Sequence, residues 1–337
     1  MKKYKLGISY AFIHFSVEVA CFYFLFHRLS ASSMWWVYTL LFDALAFLPQ
    51  NIIGLLHDKN IKVNMGLMGG CFMLTAFIIP SDMIALVLLT LGNAMIHVSG
   101  AEYTLHNAKG QIASSAIFVG GGSFGVITGQ LLGLLHIKRL VLIPLGLMVI
   151  SALMMLHIGK KYTMLQEETG FDIASDLATS KVLVFAFLAV AIRGYIAYAI
   201  PIEWNKTELQ AIALFSFMGI GKMAGGILAD KIGYKKTTYI SLLGGLPFLL
   251  FGNSIMVISL IGVALFSMTM PITIAILVSK FPKLPGFSFG ITTVALFFGI
   301  LPVFFVQLKS LVAHQIVVLV LSILALYLIH ICIEKGK

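Results

Sequence analysis

GLLHDK (Gly54 to Lys59) and GILADK (Gly226 to Lys231) are two copies of one short signature, Gly-x-Leu-x-Asp-Lys, whose glycines stand 172 residues apart. Each copy closes a long apolar run and opens into a basic loop, with Lys62 after the first and Lys235 and Lys236 after the second. The offset is close to half of the 337-residue chain. In a chain this apolar, a signature repeated at half-length marks a duplicated membrane bundle.

Composition excludes a soluble fold. Hydrophobic residues make up 60% of the chain and charged residues 11%, with a mean hydropathy of +1.02. A soluble domain of this length needs far more charge to cover its surface. The expected class is therefore an all-α membrane protein. Cys21, Cys71 and Cys332 all lie in apolar runs and read as small core residues, not as disulfide partners or metal ligands. The basic N-terminus MKKYK precedes an apolar run, but that run holds His14 and Glu18 and no small-residue cleavage pattern follows, so it reads as a retained first span.

Apolar runs long enough to cross a hydrocarbon core of about 30 Å fall at 8–26, 34–56, 63–80, 83–105, 112–135, 139–158, 181–200, 208–229, 237–252, 254–279, 288–307 and 312–332. Twelve spans result. The one long polar interval separates the sixth from the seventh, which divides the chain into a six-helix half at 1–158, a linker at 159–180 and a second half at 181–337. Placing both termini in the cytoplasm assigns sixteen lysines to the inner face: Lys2, Lys3, Lys5, Lys59, Lys62, Lys109, Lys160, Lys161, Lys181, Lys231, Lys235, Lys236, Lys280, Lys283, Lys335 and Lys337. Five basic residues then fall outside, Arg28, Lys138, Arg139, Lys206 and Lys309, which is the expected positive-inside bias. The net charge of +10 is accounted for by this lysine-rich face, which suits anionic lipid and calls for no nucleic-acid partner.

The two signatures follow the second and eighth spans, where the major facilitator superfamily of transporters carries its loop motif. The chain resembles that superfamily over its whole length, through span count, central linker and half-repeat. The second copy, GGILADKIGYKK (Gly225 to Lys236), is the fuller match; in the first, Asn60-Ile61-Lys62 replaces the usual Gly-Arg continuation. GNAMIHVSGAE (Gly92 to Glu102), AIRGYIAYAIP (Ala191 to Pro201) and GKMAGGILAD (Gly221 to Asp230) are similar to the fosmidomycin-resistance-like branch, although His97-Val98 stands where that branch has His-Pro. The resemblance implies two halves rocking about a central site. It also implies that Gly54 and Asp58, and Gly226 and Asp230, latch the cytoplasmic side, with the second latch the more complete; the alternative is that the aspartates only cap helices.

Ionisable residues inside spans are costly and call for a partner or a role. Glu18 and Asp43 lie in the first two spans, Arg193 in the seventh and Lys222 in the eighth. Two acids in one half could pair with two bases in the other across a cavity. Arg193 is one of only three arginines beside twenty lysines, and its planar fork suits a carboxylate or phosphate; the alternative is an ion pair with Glu18 or Asp43. Those two acids are the candidate proton carriers, Glu18 the favoured one. His14 stands four residues before Glu18, and Asn93 four before His97, so each pair presents polar groups to one helix face. Glu102 reads as an interfacial residue near the cytoplasmic end.

Gly121, Gly125, Gly129 and Gly133 in the fifth span, and Gly221, Gly225 and Ala229 in the eighth, recur every four residues and allow close helix approach. The expectation is that these stripes meet across the halves, the alternative being packing within each half. GGGSFG (Gly120 to Gly125) and Gly219-Ile220-Gly221-Lys222 are not phosphate loops, because they lie inside spans and lack the required spacing. Asn205-Lys206-Thr207 is a glycosylation sequon of no weight in a bacterial protein.

The resulting expectation is a secondary transporter, not an enzyme, with no cofactor and no metal. It would move a small polar, anionic or zwitterionic organic solute by alternating access with protons as partner, as a monomer in a bacterial cell (inner) membrane. A non-transporting receptor or sensor and a lipid flippase are the rival readings. Binding without flux would favour the receptor, and activity on fluorescent lipids independent of Glu18 or Arg193 would favour the flippase.

Overall fold

The computed structural model describes residues 4–59, 63–161 and 168–334, which are helical and contain no strand. Lys2, Lys3, Lys62, Lys335 and Lys337, counted above on the inner face, lie outside the described residues, as do Asn60 and Ile61 of the first loop and 162–167 of the linker.

The first span is α1 (Lys5–Phe24), continued by a wide turn over Leu25–Leu29. The second is α2 (Trp35–Phe47) followed by α3 (Gln50–Asp58), interrupted at Pro49, whose ring nitrogen has no proton to donate. Next come α4 (Met65–Ala76), α5 (Asp82–His106), α6 (Ala113–Leu134) and α7 (Leu142–Lys161). The second half runs through α8 (Thr179–Ala199), α9 (Glu208–Ile232), α10 (Tyr234–Phe251), α11 (Met256–Ser267), α12 (Met270–Lys280), α13 (Pro285–Ile300) and α14 (Leu311–Ile333). Pro271 and Pro285 stand in the first turns of α12 and α13, where a missing N–H costs nothing. Thr207 of the apparent sequon caps α9 in a reciprocal capping box with Gln210.

Ten of the twelve expected spans are helices long and apolar enough to cross a membrane. The third and ninth differ from expectation. α4 has only 12 residues, a rise of about 18 Å, because Asn64 caps it at one end and the chain turns before Pro80 at the other. α10 opens with Lys235 and Lys236, which lower its hydropathy, and contains Pro247.

Small residues decide how the helices approach. The four-residue glycine stripe of α6 faces α1 of its own half: a Cβ at Gly121 would meet the Ala11 backbone, at Gly125 the Phe15 carbonyl, at Gly129 the Val19 carbonyl and at Gly133 the Phe26 side chain. Gly221 and Gly225 likewise lie on the backbones of Ala264 and Met268. The expectation that these stripes meet across the halves is therefore wrong by one helix face. The α6–α9 contact uses the neighbouring row, with Gly120 against Gly219 and Met223, and Gly226 against Ala116. The second contact between halves joins α3 to α13, where Gly54 meets Gly286 and Gly290 meets Asn51.

The described part of the linker is packed, not a loose tether. Thr169 accepts from Gly110 N (2.9 Å) and donates to Pro282 O (3.1 Å), Ser279 Oγ accepts from Ile173 N and Ala174 N, and Ser175 N donates to Cys332 O (2.7 Å). It straps the lysine-rich end of the molecule. Beyond the last span, Lys235 Nζ hydrogen-bonds the exposed Glu334 carboxylate at 3.1 Å and, with His330, holds it below the usual carboxylate range.

Candidate functional site

Two matching contacts close the lysine-rich end. Asp58, the last residue of α3, accepts from Gly286 N (3.1 Å) and Phe287 N (2.8 Å) in the first turn of α13. Asp230, in the last turn of α9, accepts from Ile112 N (2.9 Å) and Ala113 N (3.0 Å) at the start of α6. Helix N-termini carry unsatisfied N–H groups and partial positive charge, so each carboxylate caps a helix of the other half. Gly54 and Gly226 stand one turn earlier on the same faces and let the helices touch. Each cap therefore joins a helix of the first half to one of the second. The degraded first copy makes as complete a contact as the second, contrary to expectation, because backbone N–H groups receive it and no loop residue is needed.

The copies differ at two positions, Leu55 against Ile227 and His57 against Ala229, and only the second changes the chemistry. His57 contacts Glu102 through Nδ1 and Oε2 and places Nε2 3.2 Å from Val63 O, whereas the corresponding Ala229 is simply buried. Glu102 is 1% exposed. It is thus a core residue under the first latch and not the interfacial acid expected.

In the middle of the first half, α1, α5 and α6 bring His14, Glu18, Asn93 and His97 together. The two Nε2 atoms lie 2.7 Å apart, and Glu18 Oε1 is 3.5 Å from that of His14 and 3.3 Å from that of His97. Asn93 Nδ2 donates to Glu18 Oε1 and Cys21 Sγ, both at 3.3 Å. His14 Nδ1 donates to Phe118 O (3.0 Å) and His97 Nδ1 to Asn93 O (2.9 Å). Gly122 makes this possible, since any Cβ there would strike the His14 ring. The four-residue spacings of His14–Glu18 and Asn93–His97 signalled each pair; that the pairs meet was not visible in the sequence. His14, Glu18 and His97 offer ligand atoms that all lie within 4.8 Å of one another.

The other half contributes Arg193 and Lys222, and the four-charge pairing expected across the cavity does not form. Glu18 is taken up within its own half, and among the described residues neither base makes an ion pair. Arg193 is buried, its guanidinium lies 5.6 Å from the centre of the Phe266 ring, and its Nε has no partner. Lys222 Nζ crosses between halves to donate to Ser123 Oγ at 2.9 Å, with Glu18 and Arg193 as electrostatic neighbours. Asp43 is half-buried on α2 and, among the described residues, makes no hydrogen bond or ion pair; Glu18 and Tyr198 are its electrostatic neighbours.

Beyond Ser123, in the half of α6 and of α9 remote from the Asp230 cap, Phe124, Ile127, Thr128, Leu131, Leu132, Ile212 and Ser216 line a cavity of about 290 Å³ between the two helices.

No protein-family model matches the sequence, and no characterised relative is detectably similar to it. Solved structures are similar in fold. The major facilitator superfamily transporter FucP in the outward conformation superposes with a TM-score of 0.68 at 12% identity, over 98% of this chain and 99% of that one. A structure of the E. coli fucose:proton symporter FucP gives 0.63 at 11% identity, over 98% of each chain. The human organic anion transporter MFSD10 (TETRAN) gives 0.67 at 13% identity, again over 98% of each. The chain has the major facilitator fold, and it is a multi-pass membrane protein.

Proposed function

We propose that this protein is a secondary active transporter that carries a small polar, anionic or zwitterionic organic solute by alternating access, coupled to protons. The observation that carries the reading is the difference between the two ends: Asp58 and Asp230 cap helices of the other half at the lysine-rich end, while a cavity lies between α6 and α9 toward the other. A bundle closed at one end and open at the other is one state of a two-state rocking machine. The lysine-rich end is the cytoplasmic one by charge asymmetry, so this state faces outward. In this reading α4 and α10 complete twelve spans in two six-helix halves, 1–158 and 181–337, joined by the linker at 159–180. Both termini are cytoplasmic, and the protein works as a monomer in a bacterial membrane. The similar structures, described as a fucose:proton symporter and an organic anion transporter, support both parts of the proposal. The three sequence stretches noted above favour the fosmidomycin-resistance-like branch.

Arg193 and Lys222 are the anion-recognising groups. A buried guanidinium with an unpartnered Nε and an ammonium held only by a serine hydroxyl leave positive charge for a carboxylate or phosphate. Asp43 is the proton carrier. Glu18 is engaged by two histidines and Asn93, whereas Asp43, near Glu18 and Tyr198, sustains its charge only while water reaches it, because an unpaired carboxylate is costly inside a bilayer.

The test is a thermal-stabilisation screen of the purified protein with small carboxylates, phosphates and zwitterions, followed by proteoliposome flux of the best binder with and without a pH gradient. Gradient-dependent flux is expected, with the dependence lost in Asp43→Asn and binding weakened at least about tenfold in Arg193→Lys, which keeps charge but loses the fork. Flux indifferent to the gradient would remove the proton role. Undiminished binding in Arg193→Lys would remove the fork, and binding without flux would favour a receptor.

A further inference from the structure

The transport reading leaves unused the three groups at the centre of the first half, and their hydrogen-bond pattern is unusual. The Nδ1 atoms of His14 and His97 each face a backbone carbonyl, which can only accept, so each Nδ1 carries the proton. A neutral ring then has a bare lone pair at Nε2. Two such lone pairs lie 2.7 Å apart, with a carboxylate oxygen 3.3 and 3.5 Å away. Three acceptors facing one another are stable only around a cation. A shared proton satisfies the two rings; a metal ion satisfies all three groups.

We propose that His14, Glu18 and His97 bind one divalent cation of the zinc class. Two imidazoles and a carboxylate form a borderline donor set suited to such ions. Ligand atoms of a tetrahedral zinc site with bonds of 2.0–2.1 Å are about 3.3 Å apart, so the 2.7, 3.3 and 3.5 Å edges of this triangle need only small adjustments. Nδ1–H to carbonyl is the support that fixes the tautomer and aim of metal-bound histidines. The backbone of α6 is hollowed to seat the ligands: Gly122 yields to the His14 ring, and a Cβ at Gly125 would lie 2.8 Å from Glu18 Cβ. His14, Glu18 and His97 are each 8% exposed. Three protein ligands leave a fourth position for water or an anionic ligand, and Lys222 is the neighbouring charge from the other half. The proposal does not rest on the transport reading.

The test uses tag-free, full-length protein in detergent, stripped with a chelator. Titration with Co²⁺ as a visible-absorbance probe, and calorimetry with Zn²⁺, should give one ion per chain and the intense absorption of a four-coordinate site. His97→Gln should weaken binding about 100-fold or more and Glu18→Gln about tenfold, while His136→Gln should leave it unchanged. The last variant addresses a second close histidine pair among the described residues, His27 and His136, whose ring centres are 5.8 Å apart. X-ray absorption of the Zn²⁺-loaded wild type needs no variant and should show two imidazoles and a carboxylate oxygen at about 2.0–2.2 Å. No saturable absorption in the wild type would overturn the proposal. So would binding that survives His97→Gln, binding that vanishes in His136→Gln, or a shell of sulfur or oxygen alone. No gradient or flux enters these readouts, so they fail or succeed apart from the transport measurement.

Discussion

The two aspartate caps, proposed above as latches, have the same outer chemistry and different foundations. At each, a glycine brings two helices together and an aspartate four residues later caps the opposing helix through two N–H groups. Beneath Asp58 lies the buried His57–Glu102 pair; beneath Asp230 lies Ala229. The contact itself needs only the Gly and Asp of the signature, because the receiving groups are main chain. What stands beneath it is free to vary, so the first latch can carry a titratable pair that the second lacks.

The largest separation between the copies is expected from bulk at the glycines. A side chain at Gly54 would run into three backbone atoms of Gly286 and Phe287, all within 2.7 Å, whereas one at Gly226 would meet a single atom that close, the Ala116 Cβ, with the next 3.2 Å away. Gly54→Leu should therefore hold the lysine-rich end open, and Gly226→Leu should do so less completely. The check is maleimide labelling of a single cysteine at the buried Thr292, which Gly54→Leu should accelerate more. Equal acceleration would show that the two contacts are interchangeable.

Asp58→Asn and Asp230→Asn come next. Each replaces a charge-assisted double acceptor with an amide that can accept but also presents its own N–H, a loss of about 1.5–3 kcal/mol, or about 10- to 100-fold in the closed-to-open ratio. Similar effects that add in the double variant would mark two independent latches. The smallest effect belongs to Glu102→Gln, worth about 1 kcal/mol, which should weaken the Asp58 latch and leave Asp230 variants unaltered. Should Glu102→Gln shift the Asp230 latch equally, the two foundations are coupled through the bundle and the distinction between them disappears.

Much of this architecture was legible because it depends on hydropathy and repetition. Apolar runs located the helices to within a few residues, and the 172-residue repeat placed both latches on one side. α4 and α10 fall short of the length and hydropathy expected of spans, because capping by Asn64 and the lysines opening α10 shorten the apolar stretch without breaking the pattern. The glycine rows were read correctly as contact surfaces but assigned to the wrong neighbour, since periodicity identifies a helix face and not what it meets. The same limit applied to the site. Four-residue spacing predicted His14 beside Glu18 and Asn93 beside His97, yet their convergence depends on α1 and α5 both packing near α6. Glu102 was misplaced because its partner, His57, is distant in sequence. The absence of ion pairs at Arg193 and Lys222 is likewise a tertiary fact that charge counting cannot supply.

The central claim is that the two aspartate caps hold one end of a rocking bundle shut while the other is open. Distances between spin labels, measured in lipid nanodiscs, test it directly, with one pair at Leu132 and Ile212 on the cavity side and another at the exposed Gln111 and Lys231 on the lysine-rich side. In the Asp58→Asn, Asp230→Asn double variant, the Gln111–Lys231 distance is predicted to lengthen as the Leu132–Ile212 distance shortens. Distances that stay at their wild-type values, or that lengthen together, would contradict alternating access governed by these latches.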